Sequence, residues 1–149
     1  MFFSVIQILA LLLIIRLLIY VVQTNIRKRG TRLLPNEQVL LMADGFGLTI
    51  LTNKTIIGGA VAGRPTSTVG RMVLSDKRLI VSSNQGVVLL LTTEKSGSAR
   101  SVGPKRLVVL GTYAGADVRL EITVTDQGNW AKMINERFQT ERFQIKALP

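Results

Sequence analysis

The side chains of this 149-residue chain that can take part in chemistry are lysines, arginines, serines and a few carboxylates, because it contains neither cysteine nor histidine. That double absence removes disulfides, thiolate nucleophiles, zinc fingers, triads built on imidazole and histidine-ligated haem at one stroke. Nine dispersed carboxylates remain for acid–base work, and no two of them stand in a context that would split their pKa values. The sequence therefore predicts a protein that is not an enzyme, with no cofactor and no small-molecule substrate.

Two segments look superficially like anion sites. KSGSARSVGPKR carries Lys95, Arg100, Lys105 and Arg106 on a Gly- and Ser-rich background whose N–H groups could cradle an anion, yet it lacks the GxxxxGK[ST] spacing of a phosphate loop. It reads as a solvated loop. GGAVAG has the glycines of a dinucleotide turn but not the strand before it and helix after it that would aim them at a pyrophosphate. Lys54, Arg64 and Arg71 are scattered.

The net charge is +10, from 19 basic and 9 acidic residues. Arg16, Arg27, Lys28, Arg29 and Arg32 place half of that excess before residue 33. Beyond it the excess is spread thinly among few aromatics (Phe46, Tyr113, Trp130, Phe138 and Phe143), without the basic and aromatic interleaving that stacks bases, so nucleic acid is not an expected partner.

What must position these groups begins with an apolar run. Residues 2–22 are apolar except Ser4, Gln7 and Arg16, and 21 residues at about 1.5 Å each reach roughly 30 Å, a bilayer's hydrocarbon thickness. The run lacks the basic start and small-residue exit of a signal peptide. The expectation is a transmembrane helix over 1–22, then a basic juxtamembrane linker over 23–33. Arg27, Lys28, Arg29 and Arg32 would then contact anionic lipid headgroups and hold the C-terminal domain on the cytoplasmic side of an inner (plasma) membrane, N-terminus outside. Arg16 lies about 9 Å from Val22, near enough to snorkel toward headgroups. Its alternative role is contact with a polar or acidic group on a partner helix.

The remainder alternates like strands. QVLLMA and GLTILTN flank a break at residues 44–47. KTIIGGAVAGRPTSTVG suggests a short strand and an irregular loop. RMVLSDKRLIVSSNQG is a hairpin, with Met72, Leu74, Leu79 and Val81 at period two around Ser75, Asp76, Lys77 and Arg78. VVLLLTTE, RLVVLGTY and VRLEITVT follow as strands, the last two joined by AGAD. In DQGNWAKMINERFQTERF, Trp130, Met133, Ile134 and Phe138 recur at helical spacing, predicting an amphipathic helix over 127–143 with Asp126 as N-cap. Trp130 would anchor it in the open end of a barrel.

The curled sheet of about seven strands finished by one helix, over roughly residues 34–145, resembles the pleckstrin-homology (PH) superfold. GRMVLSDKRLIVSS is similar to the central hairpin of the GRAM and bacterial PH-like families. The implied fold is mainly β, a PH-like curled antiparallel barrel with a C-terminal α-helix, behind one N-terminal transmembrane helix. The implied function is a membrane-anchored, non-catalytic binding or scaffolding module. Its expected partners are anionic membrane lipids and other membrane proteins; the alternative is an accessory or assembly subunit of a larger membrane complex. Phosphoinositide recognition does not carry over, since residues 44–47 offer no cluster of basic side chains. An OB-like barrel competes, but that fold has five strands and places its helix between strands.

Overall fold

The computed structural model describes the backbone of residues 2–29, 33–56 and 59–139, and the side chains of 5–21, 33–56 and 59–139. Helix α1 (Phe2–Arg29) precedes seven strands: β1 (Val39–Thr52), β2 (Thr66–Ser75), β3 (Arg78–Ser83), β4 (Gly86–Thr92), β5 (Gly97–Val102), β6 (Arg106–Tyr113) and β7 (Ala116–Thr123). Helix α2 (Gln127–Phe138) follows. The strands form one antiparallel sheet in the order β4-β3-β2-β1-β7-β6-β5, curled into a half-barrel.

Strand β1 is the hinge of the curl. It pairs with β2 from Val39 to Ile50 and with β7 from Leu48 to Thr52, so the two halves of the sheet share it. The expected break between two strands is instead a β-bulge inside one 14-residue strand. The register with β2 shifts between Asp44 and Phe46, where Gly45 takes a φ of 70° that a side chain would resist. The bulge bends the strand without ending it.

Curling brings the sheet's two edges together, because β4 and β5 are joined by residues 93–96 alone. The approach works through small residues. A Cβ on Gly111 would lie 2.7 Å from Leu91 Cδ2, and one on Gly97 would collide with the Leu110 carbonyl oxygen and come within 2.7 Å of Leu91 Cδ1. This explains why KSGSARSVGPK, expected to be a loop, contains strand β5. Its inward residues, Gly97 and Ala99, are small, Gly97 because Leu91 fills the space above it, so the usual bulky period-two signal is missing. The expected strand in KTIIGGAVAGRPTSTVG is also corrected. Among the described residues of 53–65 there is no strand, and TSTVG belongs to β2.

The inward faces supply one core, and the predicted hairpin residues lie at its centre: Met72, Leu74, Leu79 and Val81 are each 0% exposed. Each such side chain contributes about 1.5–3 kcal/mol by leaving water. Helix α2 closes the open end with Trp130, Ala131, Ile134 and Phe138 buried, as its periodicity required. Two details differ from expectation. Asp126 makes no side-chain cap, its carboxylate accepting instead from Asn129 Nδ2 at 3.2 Å. The helix also stops at Phe138, since Gln139 is already extended, and residues 140–145 lie outside the described part.

The transmembrane expectation is overturned. Arg16 stands near the middle of the 28-residue α1, a charge that costs a few kcal/mol within hydrocarbon. Among the described residues, no helix is long and apolar enough to cross a membrane. The fold is thus a half-barrel of seven antiparallel strands with a short C-terminal helix. The transmembrane helix, the single-pass topology and the placement at an inner membrane are withdrawn. What α1 does show is exposure on every side: its fourteen large apolar residues from Val5 to Val21 are each 44–71% exposed.

Candidate functional site

The β2–β3 turn is already engaged by the chain's own linker. Arg78 donates to Glu37 through Nε (2.8 Å to Oε1) and Nη2 (3.0 Å to Oε2). Ser75 Oγ adds a bond to Oε1 at 2.5 Å, and the Leu34 N–H donates to Oε2 at 2.5 Å. The Glu37 side chain is 1% exposed. Its carboxyl is held well below the usual range, at about 2, chiefly by the Arg78 guanidinium and against the cost of burial, with the bonds from Ser75 and Leu34 helping. Beside it the Gln38 N–H donates to Asp76 Oδ1 (2.9 Å), the Asp76 N–H donates to the Gln38 carbonyl (3.0 Å), and Lys77 Nζ donates to the Pro35 carbonyl (3.0 Å). All four turn residues therefore grip residues 34–38. The polar turn of the predicted hairpin is a clamp on residues 34–38, which lead into β1.

The suggested anion loop does not converge. Lys95 sits in the β4–β5 connection, Arg100 within β5, Lys105 in the β5–β6 turn and Arg106 at the start of β6. The six residues of β5 separate the first from the third by about 20 Å. The turn's backbone is also occupied: Gly103 O accepts from Gln127 Nε2 (3.1 Å) and Lys105 O from the Val124 N–H (3.0 Å). Gly59 and Gly63 of GGAVAG lie between antiparallel strands β1 and β2, and among the described residues there no helix N-terminus is available to bind a phosphate. Arg71 faces Asp44 at 3.4 Å on the outer surface.

The expected lipid contacts cannot be placed. Arg27, Lys28 and Arg29 form the last turn of α1 with side chains outside the described set, and Arg32 lies outside the described residues altogether. Arg16 is described and exposed, near the middle of α1, and no ion pair involves it among the described residues.

One feature escapes sequence reasoning. A shallow outer groove of about 420 Å³ runs between the end of β1, Gly63 and strands β6 and β7, with Leu51, Leu110 and Arg119 among its lining residues. Its polar rim is locked: Asn53 Nδ2 donates to Asp117 Oδ2 (3.1 Å), the Asp117 N–H returns to Asn53 Oδ1 (2.9 Å), and Arg119 pairs with Glu121 at 3.1 Å. The available sign was Leu51 and Leu110, apolar where the strand alternation calls for an outward polar residue. Among the described residues no group of three or more His, Cys, Asp or Glu could hold a metal ion. No protein-family model matches the chain, and no curated protein is significantly similar to it.

Proposed function

We propose that this chain is a non-catalytic binding and assembly module, in which α1 docks into an apolar surface of a partner protein and the half-barrel is the domain so delivered. The observation that carries the reading is α1 itself, with fourteen large apolar residues exposed over seventeen positions. Covering even half of that surface is worth on the order of 10 kcal/mol, ample for a stable complex. A patch of this extent is not left in water.

The β domain supports the same reading. Its polar side chains are spent on its own architecture: Glu37 and Arg78 on the linker clamp, Asn53 and Asp117 on each other, Asn135 on strand β5. The clamp gives the module a use for that architecture, because it fixes the path of the segment that follows α1. A curled seven-stranded sheet finished by one helix is also what the PH-like resemblance implies, and modules of that kind bind and scaffold.

A photo-crosslinking residue at Leu13, the most exposed of the described apolar side chains of α1 at 71%, tests the reading against the same residue at Lys132 on α2. The expected result is a single one-to-one adduct from position 13 that disappears when Leu9→Asp and Leu17→Asp are added. Adducts of equal yield from both positions, or none from position 13, refute it.

A further inference from the structure

We infer that Asp44 and Gly45 form a self-modification site, at which the folded chain converts aspartate to isoaspartate through a cyclic imide. Three observations combine. First, Asp44 is the one Asp or Asn of the chain that precedes glycine. Gly45 has no side chain to crowd its attacking nitrogen, and no heavy atom beyond its chain neighbours lies within 4 Å of the Cβ position. Second, the reacting groups already face each other. The Gly45 N–H donates to Asp44 Oδ1 at 2.9 Å, and the Asp44 side chain is 54% exposed, within reach of water. Arg71 engages the other oxygen, Oδ2, at 3.4 Å, an exposed pair too weak to hold the carboxylate in place. Third, the bulge takes Gly45 out of the sheet. The register with β2 passes from Asp44 to Phe46 without it, and pairing with β7 begins at Leu48. Among the described residues Gly45 therefore has no partner strand on either side, and its turn can open without breaking a ladder pair.

The other aspartates lack this arrangement. Asp76, Asp117 and Asp126 precede Lys77, Val118 and Gln127, and their carboxylates accept from Gln38, Asn53 and Asn129 respectively. At Asp44 the step balances without a co-reactant. The Gly45 nitrogen attacks Cγ of the protonated carboxyl, the N–Cγ bond forms, and the carboxyl hydroxyl leaves with the amide proton as water. The cyclic imide takes that water back at either carbonyl. Opening at Cγ restores aspartate, whereas opening at the Asp44 main-chain carbonyl leaves isoaspartate, with the chain running through Cβ and Cγ. The product has the same mass, one more main-chain carbon, and a carboxylate set directly on Cα. The change falls on β1, the strand that both halves of the sheet share, and draws the carboxylate away from Arg71, whose buried Nε has no partner among the described residues. The converted chain is therefore the less stable one.

The test incubates the full chain for several weeks at neutral pH, folded and in urea. Isoaspartate is mapped with a protease that cuts before aspartate but not before isoaspartate, and by enzymatic methylation of isoaspartyl carboxyls. The folded chain is expected to convert position 44 within about tenfold of the rate in urea, whereas a reaction that waited for global unfolding would run on the order of a thousandfold slower. Asp76, Asp117 and Asp126 are expected to stay unconverted in the folded chain. Asp44→Glu, whose longer side chain must close a larger ring, is expected to abolish the signal. The isolated isoaspartyl form is expected to show a lower urea midpoint than the unconverted chain. Conversion confined to the unfolded chain, absence of conversion in both states, or equal conversion at all four aspartates of the folded chain overturns the inference. An isoaspartyl form with an unchanged midpoint overturns its consequence for β1.

Discussion

Glu37 is the residue that holds the segment before β1 against the β2–β3 turn. Its carboxylate receives Arg78, Ser75 and the Leu34 N–H together, so Glu37→Gln removes a charge-assisted bidentate pair at a side chain that is 1% exposed. The substitution is expected to cost about 2 kcal/mol, read as a lower urea midpoint at neutral pH. The pH dependence has a definite sign. Because the folded carboxyl titrates at about 2 and the ordinary value is 4.5, its contribution is complete above about 4.5 and fades as the pH falls toward 2. Urea midpoints at pH 6, 4 and 3 are expected to fall more steeply for the wild type than for Glu37→Gln, the two converging at the acid end. Parallel curves would contradict the clamp. The sequence displayed Ser75, Asp76, Lys77 and Arg78 as a hairpin turn but concealed what they hold, because Glu37 lies 41 positions from Arg78 and no local pattern joins them.

Among the elements, those with bulky alternating residues were legible and those built from small ones were not. Strands β2, β3, β6 and β7 follow from Met72, Leu79, Val109 and Leu120 at period two, and α2 from Trp130, Ile134 and Phe138. Strand β5 was hidden because its inward positions are Gly97 and Ala99, the glycine being required by Leu91 of the opposite edge. The same contact makes a prediction. Gly97→Val drives a branched side chain into the Leu110 carbonyl and Leu91, and is expected to destabilise the half-barrel by about 1–3 kcal/mol in chemical denaturation. Gly103→Ala, with open space around its Cβ, is the control for crowding, although its φ of 64° adds a smaller backbone cost. Helix α2 is pinned to β5 by one amide. Asn135 Oδ1 accepts from the Ala99 N–H and Asn135 Nδ2 donates to the Ala99 carbonyl, both at 2.8 Å. Asn135→Ala therefore orphans two backbone groups at a sheet edge and is expected to cost about 2 kcal/mol, with faster amide exchange at Ala99 as its local signature. At the other end of the hairpin series, Ala114 and Gly115 both adopt positive φ, 50° and 74°, making the tight primed turn that AGAD announced.

At the scale of the whole molecule, the chain divides into a domain that satisfies itself and a helix that does not. The half-barrel packs the inward faces of its strands into one core and ties Glu37, Asn53, Asp117 and Asn135 into its own hydrogen bonds, while the described part of α1 exposes apolar side chains all round. The sequence made the apolar run obvious, but its length and composition suggested a bilayer, a conclusion the described helix does not sustain. On the proposed reading, that surface associates with another protein. Native mass measurement of the full chain, isolated with its partners intact, tests this most directly. The expected result is a stoichiometric complex with a different protein that dissociates when Leu13→Asp and Leu17→Asp are introduced, while the thermal transition of the half-barrel stays within about 1 °C because neither residue touches the core. A wild-type chain that remains a lone monomer, or a complex that survives both aspartates, would contradict it.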